Sequence, residues 1–152
     1  MTDEKPHSGR LRDGRHSEVG RIYHVRLACQ DREPFFAEFE KGRVVVWAMR
    51  QVEPTAATLS YVVMPDHLHW LMCLREGSTL SGAVQKLKSL TTRELHRRCE
   101  WQGAIWQAGF YDRAIRREDD LPAIARYIVA NPLRAGLVRS IRDYPLWDAA
   151  WL

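Results

Sequence analysis

The chain has 152 residues, of which 45% are hydrophobic, and no apolar run reaches the roughly 18 residues a membrane span needs. That balance excludes a disordered chain and predicts one globular domain with no membrane segment. Net charge is only +4, but the arginines cluster, and clustered guanidinium forks suit phosphate, which points to a nucleic acid partner.

Residues 1–20 carry few apolar side chains and several Gly and Arg, Arg12 and Arg15 among them. They read as an extended basic arm, and they lack the apolar stretch of a secretory signal. Cys29, Cys73 and Cys99 form no CxxC pair, which argues against a zinc knuckle or a disulfide frame and for a reducing cytoplasm. IYHVRLAC (22–29) is a predicted strand, in which His24 alternates with apolar residues and receives no role. QDREP (30–34) is a loop. Residues 35–52 are predicted helical, although Gly42 and the Val run weaken the pattern.

TLSYVVM (58–64) and HLHWLMCL (67–74) are predicted strands joined by a turn at Pro65-Asp66. The second is apolar on both faces, as a central strand would be. After an EGS loop with Ser78 as N-cap, Leu80, Val84, Leu87, Thr91 and Leu95 step as a helical core stripe. Residues 99–109 connect to a predicted strand at FYDRAIR (110–116). Asp119 or Asp120 then caps a helix with Pro122 in its first turn. Leu121, Ile124, Ala125 and Ile128 are its buried face, and Pro132 ends it. The tail has no clean period, but its two tryptophans suggest that it packs down. The order β-α-β-β-α-β-α predicts an α+β, ferredoxin-like βαββαβ sandwich with an additional C-terminal helix. Its sheet would be antiparallel or mixed, with helices mainly on one face. The arm (1–20) is followed by a single domain (21–152).

The unusual feature is YVVMPDHLHWLMCL (61–74). His67 and His69 stand at i and i+2, on the same side of a strand. Either imidazole alone could be a satisfied core residue; together they are a ready ligand pair. Tyr127 and Asn131 lie four apart on the last predicted helix and share a face. Two imidazoles and an amide oxygen suit Mg²⁺ or Mn²⁺. Such an ion on a phosphodiester oxygen would stabilise the charge of a displacement, and a tyrosine nucleophile would conserve the phosphate bond in a covalent intermediate. Tyr111 is the rival nucleophile, for which packing is the favoured reading. Tyr61 and Trp70 read as core, whereas Trp101 and Trp106 could stack on bases. Lys86, Arg93 and Arg97 fall on one side of the long helix, and Arg113 and Arg116 lie in the last predicted strand. Each group could contact phosphate or simply be solvated surface.

His67-Leu68-His69 within MPDHLHWL, then WQAGFYDRAIR and YIVANPLRAGLV, together with the opening GRIYHVRLACQDREPFF, resemble the REP-associated tyrosine transposases. These are relatives of the single-tyrosine insertion-sequence transposases. The resemblance runs from about residue 10 to the C-terminus. It implies a metal-dependent single-strand DNA endonuclease that recognises palindromic hairpins beside a short guide, cuts through a 5′-phosphotyrosine and releases a 3′-hydroxyl. By motif match, His67, His69 and Asn131 take the metal-ligand roles and Tyr127 the nucleophile role. The family's usual Asn before the first histidine is Asp66 here; the position lies in the turn, so a small effect is expected, with an extra carboxylate near the metal as the alternative. Arg12 and Arg15 would read the guide bases. A monomer is expected, with a dimer as the alternative. An amidohydrolase barrel needs a far longer chain, and a cupin would carry a Glu shortly after the histidine pair, whereas Glu76 comes seven residues after His69. A hairpin-binding protein that has lost cleavage is the remaining alternative.

Overall fold

A computed structural model describes residues 21–116 and 119–150. Five strands form one antiparallel sheet: β1 (Ile22–Ala28), β2 (Ala56–Met64), β3 (His67–Leu74), β4 (Tyr111–Ala114) and β5 (Trp147–Ala149), in the order β4-β1-β3-β2-β5. The helices are α1 (Phe39–Val52), α2 (Leu80–Arg98), α3 (Leu121–Val129) and the single turn α4 (Asn131–Arg134). The first four strands and two long helices follow the expected βαββαβ plan.

Strand alternation divides the sheet chemically. On β1, Tyr23, Val25 and Leu27 point to one side, and on β3, Leu68, Trp70, Met72 and Leu74 point the same way. The buried stripes of α1 (Val45, Met49, Val52) and α2 (Leu80, Val84, Leu87, Leu95) close over them and form the larger core. The Val44–Val46 run disfavours a helix intrinsically, but all three side chains are buried here, and packing overrides propensity. The opposite face is covered by α3, whose Ala125, Ile128 and Val129 pack with Val62, Met64 and Leu71 in a second, smaller core. Thus helices lie on both faces rather than mainly on one.

Local chemistry sets the boundaries. Thr79, not Ser78, caps α2 by accepting from the Gly82 N–H at 3.0 Å. Asp120 caps α3 by accepting from the Ala123 N–H at 3.0 Å, with Pro122 in the first turn. The two-residue Pro65-Asp66 turn pairs Met64 with His67 and fixes the β2–β3 register. The tail forms an unanticipated strand: β5 adds to the outer edge of β2 and pairs Val62 with Trp147. Its docking is polar as well as apolar, since the Tyr144 hydroxyl donates to the Val63 carbonyl at 2.6 Å and Trp147 Nε1 donates to the Ile141 carbonyl at 2.9 Å.

Candidate functional site

His67 and His69 lie on the α3 side of β3, two residues apart and one strand in from the edge-side β4–β1 pair. Beside α3 they line a cleft of about 750 Å³ shared with His24, Tyr111, Tyr127 and Asn131. Arg26, Arg32 and Arg113 line it too, together with Asp119 and Asp120. His67 Nε2 and His69 Nε2 stand 3.2 Å apart with their rings nearly perpendicular. Two nitrogens each about 2.1 Å from one ion, subtending roughly 100°, would have this separation.

The outer nitrogens are also engaged. Asp66 Oδ1 lies 2.7 Å from His67 Nδ1, so the carboxylate accepts a hydrogen there and leaves Nε2 as the lone pair facing His69. Asp66 is held in turn by Arg32, whose Nε donates to Oδ2 at 3.1 Å. Asp31 and Arg32 both adopt left-handed backbone, with φ of 55° and 54°, unusual for non-glycine residues and situated beside the cleft. His69 Nδ1 lies 3.0 Å from His24 Nε2. Sequence reasoning gave His24 nothing, and its only signal was its even spacing with Arg26 on a strand that turns out to neighbour β3.

Electrostatics keep these rings neutral at pH 7. Burial pushes His69 well below the ordinary imidazole value, and the Arg26 charge, with His24 and His67 as competitors for any proton, lowers it further. Burial also lowers His24 to about 4, aided by Arg26 and Arg113. His67 is lowered by burial against the opposing pull of Asp66. For Asp66, burial works against ionisation, but the His67 hydrogen bond and Arg32 outweigh it and hold the carboxyl below its usual range. Neutral imidazole is the form that binds metal.

Tyr127 and Asn131 do not share one helix. α3 ends at Val129, Ala130 is the joint, and Asn131 opens α4 with Pro132 in its first turn. Both nevertheless reach the cleft. The Asn131 amide donates from Nδ2 to the Ile128 carbonyl at 2.8 Å, which leaves its oxygen as the acceptor end of the side chain. Tyr127 is 58% exposed, and the Arg134 guanidinium sits 3.7 Å over its ring. Tyr111, the rival, lines the same cleft under Arg26, 4.5 Å from its ring centre. Among the described residues, no three or more His, Cys, Asp or Glu side chains gather as a metal cluster. The expected ligand set is two imidazoles and an amide oxygen, a donor set that suits a hard divalent ion sharing its shell with water or phosphate.

The basic residues separate. Arg113 lines the cleft, 3.7 Å from Asp119. Arg116 is exposed just beyond β4. Lys86, Arg93 and Arg97 are exposed on α2, which covers the other face of the sheet, and Arg97 pairs with Glu94. Arg12 and Arg15 lie outside the described residues. Trp70 is fully buried and donates to Thr58 Oγ1, and Trp106 is buried and donates to Thr91 Oγ1. Trp101 is 46% exposed and packs edge-on to Phe35.

Fold and site define a class: an antiparallel α+β sheet that presents a histidine pair to an arginine-bearing cleft, beneath a helix bearing a tyrosine. A family model described as "Transposase IS200 like" matches residues 19–131, and the chain belongs to that family. It is 32% identical over 137 residues to a Haemophilus influenzae protein provisionally named a REP-associated tyrosine transposase, covering 83% of this chain and 78% of that one. It is also 32% identical over 87 residues to the Escherichia coli K12 REP-associated tyrosine transposase, covering 57% of this chain and 50% of the relative. A solved structure of a REP-associated tyrosine transposase bound to a REP hairpin shares the fold, with TM-score 0.70 at 23% identity, over 97% of this chain and 82% of that one. No described helix is long and apolar enough to cross a membrane.

Proposed function

We propose that this protein cuts and rejoins single-stranded DNA beside palindromic hairpins, using Tyr127 as nucleophile and Mg²⁺ or Mn²⁺ held by His67, His69 and Asn131. The observation that carries the reading is the pair of Nε2 atoms 3.2 Å apart in a cleft that Tyr127 and Asn131 also line. Family membership and the hairpin-bound relative support the DNA substrate.

The chain's own residues supply most of the chemistry. Arg26, Arg32 and Arg113 offer the cleft guanidinium groups suited to a phosphodiester. Tyr127 Oη attacks phosphorus: an Oη–P bond forms, the bond from phosphorus to the 3′ oxygen breaks, the phenol gives up its proton, and the departing 3′ oxygen takes one up to leave as a 3′-hydroxyl. Arg134 over the ring holds the tyrosine and lends positive charge as the phenol loses its proton. When bound, the divalent ion supplies charge stabilisation at the phosphodiester oxygens. The phosphotyrosine keeps the bond energy, so a 3′-hydroxyl can reverse the step.

The test is incubation with labelled hairpin oligonucleotides, with and without Mg²⁺ or Mn²⁺, followed by a denaturing gel. The wild type should yield a metal-dependent covalent adduct, Tyr127→Phe none, and Tyr111→Phe an undiminished one. Loss of the adduct in Tyr111→Phe but not Tyr127→Phe would move the nucleophile to β4. Hairpin binding with no adduct in any variant would favour the binding-protein alternative.

A further inference from the structure

His24 Nε2, the two nitrogens of His69, the two of His67 and Asp66 Oδ1 form one continuous row, with gaps of 3.0, 3.2 and 2.7 Å. The hydrogens in this row are constrained. Asp66 accepts, so His67 carries its hydrogen on Nδ1 and presents a bare Nε2. His69 then has two choices. With hydrogen on Nε2, it donates to His67 and accepts from His24 at Nδ1. With hydrogen on Nδ1, it donates to His24 and turns a second bare Nε2 toward His67. Two facing lone pairs repel unless a cation lies between them, so only the second arrangement is a bidentate metal site.

We propose that His24 is the positioning residue of that site: its Nε2 accepts the Nδ1–H of His69 and thereby directs the His69 Nε2 lone pair to the point shared with His67. The inference rests on the metal-binding reading above. Register supports it. β1 and β3 are antiparallel neighbours that pair Arg26 with His69, so His24 reaches His69 on the diagonal, on the same face of the sheet. His24 Nε2 also meets the nitrogen of His69 that points away from His67, which makes it a partner of the ligand and not a third ligand. Asp66 does for His67 what His24 does for His69. In the usual version of this device a carboxylate or carbonyl accepts from the ligating imidazole; here a neutral imidazole does so on one side.

The test uses the full chain. Mn²⁺ affinity is measured by electron paramagnetic resonance for the wild type, His24→Phe, His24→Gln and His67→Ala, and the ring nitrogens are read by ¹⁵N NMR with saturating Mg²⁺. The phenylalanine variant should bind Mn²⁺ about 10- to 100-fold more weakly. Glutamine, which offers an accepting oxygen, should recover most of the loss. The NMR should show His69 with its hydrogen on Nδ1. Metal-free hairpin binding checks that His24→Phe is folded; should that variant fail to fold, the glutamine variant and the NMR decide. Wild-type Mn²⁺ affinity in His24→Phe, a hydrogen on His69 Nε2 with Mg²⁺ bound, or a metal-shifted His24 Nε2 would each overturn the proposal. If His67→Ala weakens Mn²⁺ and His24→Phe does not, only this inference fails. If the wild type binds no ion, or His67→Ala changes nothing, the metal reading fails with it.

Discussion

Replacing Asp66 by alanine is expected to loosen a divalent ion at the histidine pair by about 10- to 100-fold, the usual cost of removing a partner of a ligating imidazole. The geometry gives a second route to that size. The His67–Asp66 contact is 2.7 Å, short for an N–H···O bond, as an ionised acceptor makes it. Hydrogen bonds to charged groups contribute about 1.5–3 kcal/mol, and because the bond also exists without the ion, at about 1.4 kcal/mol per tenfold this sets about 100-fold as the ceiling. The Asp66 side chain is 30% exposed, so water offers a partial replacement and the lower half of the range is expected. Arg32 works the other way by anchoring the carboxylate. The turn itself should survive, because it is tied just past the end of β1 by the backbone bond from Cys29 N–H to the Asp66 carbonyl at 2.9 Å. Asp66→Asn keeps an acceptor without the charge and should lose less than about tenfold, in keeping with the Asn that the family resemblance places here. Mn²⁺ titration by electron paramagnetic resonance reads all three proteins. Wild-type affinity in Asp66→Ala, or weaker binding by the Asn variant than by Ala, would refute the reasoning.

Arg134→Ala should slow adduct formation about 2- to 5-fold, the worth of an exposed cation–π contact, while Mn²⁺ affinity stays unchanged. A fall in metal affinity with the adduct rate intact would place Arg134 with the ligands instead. Burial raises the Tyr144 phenol to about 12, from an ordinary 10, so the folded chain keeps a proton that the unfolded chain has lost. Stability from this group is therefore complete below pH 10 and is lost as the pH climbs toward 12. Tyr144→Phe should lower stability at pH 7 by about 1 kcal/mol, through the lost bond to Val63, and should flatten the alkaline decline in urea midpoints. An equally steep decline in the variant would show that other groups set it.

The periodic parts of the fold were legible because burial imposes period on sequence. Leu80 to Leu95 read as a helix and HLHWLMCL as a central strand, since each must match the core on which it lies. The parts missed obey other constraints. β5 is three residues long, too short for a pattern, and its place depends on the free edge of β2 and on the Tyr144 hydroxyl reaching the Val63 carbonyl 81 residues back along the chain. The Thr79 cap differs from the expected Ser78 by one residue, within the reach of backbone details that composition does not encode.

The site shows the same division more sharply. His67 and His69 were visible as a pair because strand geometry alone puts i and i+2 together. Tyr127 and Asn131 were visible through a helical spacing that the structure breaks at Ala130, and they still converge because α4 opens where α3 stops. His24 had no such local signature. Its meeting with His69, 45 residues away, is decided by the neighbour relation of β1 and β3 and by their register, both of which are properties of the assembled sheet. Asp66 lay between these cases, since its adjacency to His67 was plain but its role was not. Only the 2.7 Å contact assigns the hydrogen on His67, and only with that hydrogen fixed does the tautomer of His69, and hence the purpose of His24, become a physical question.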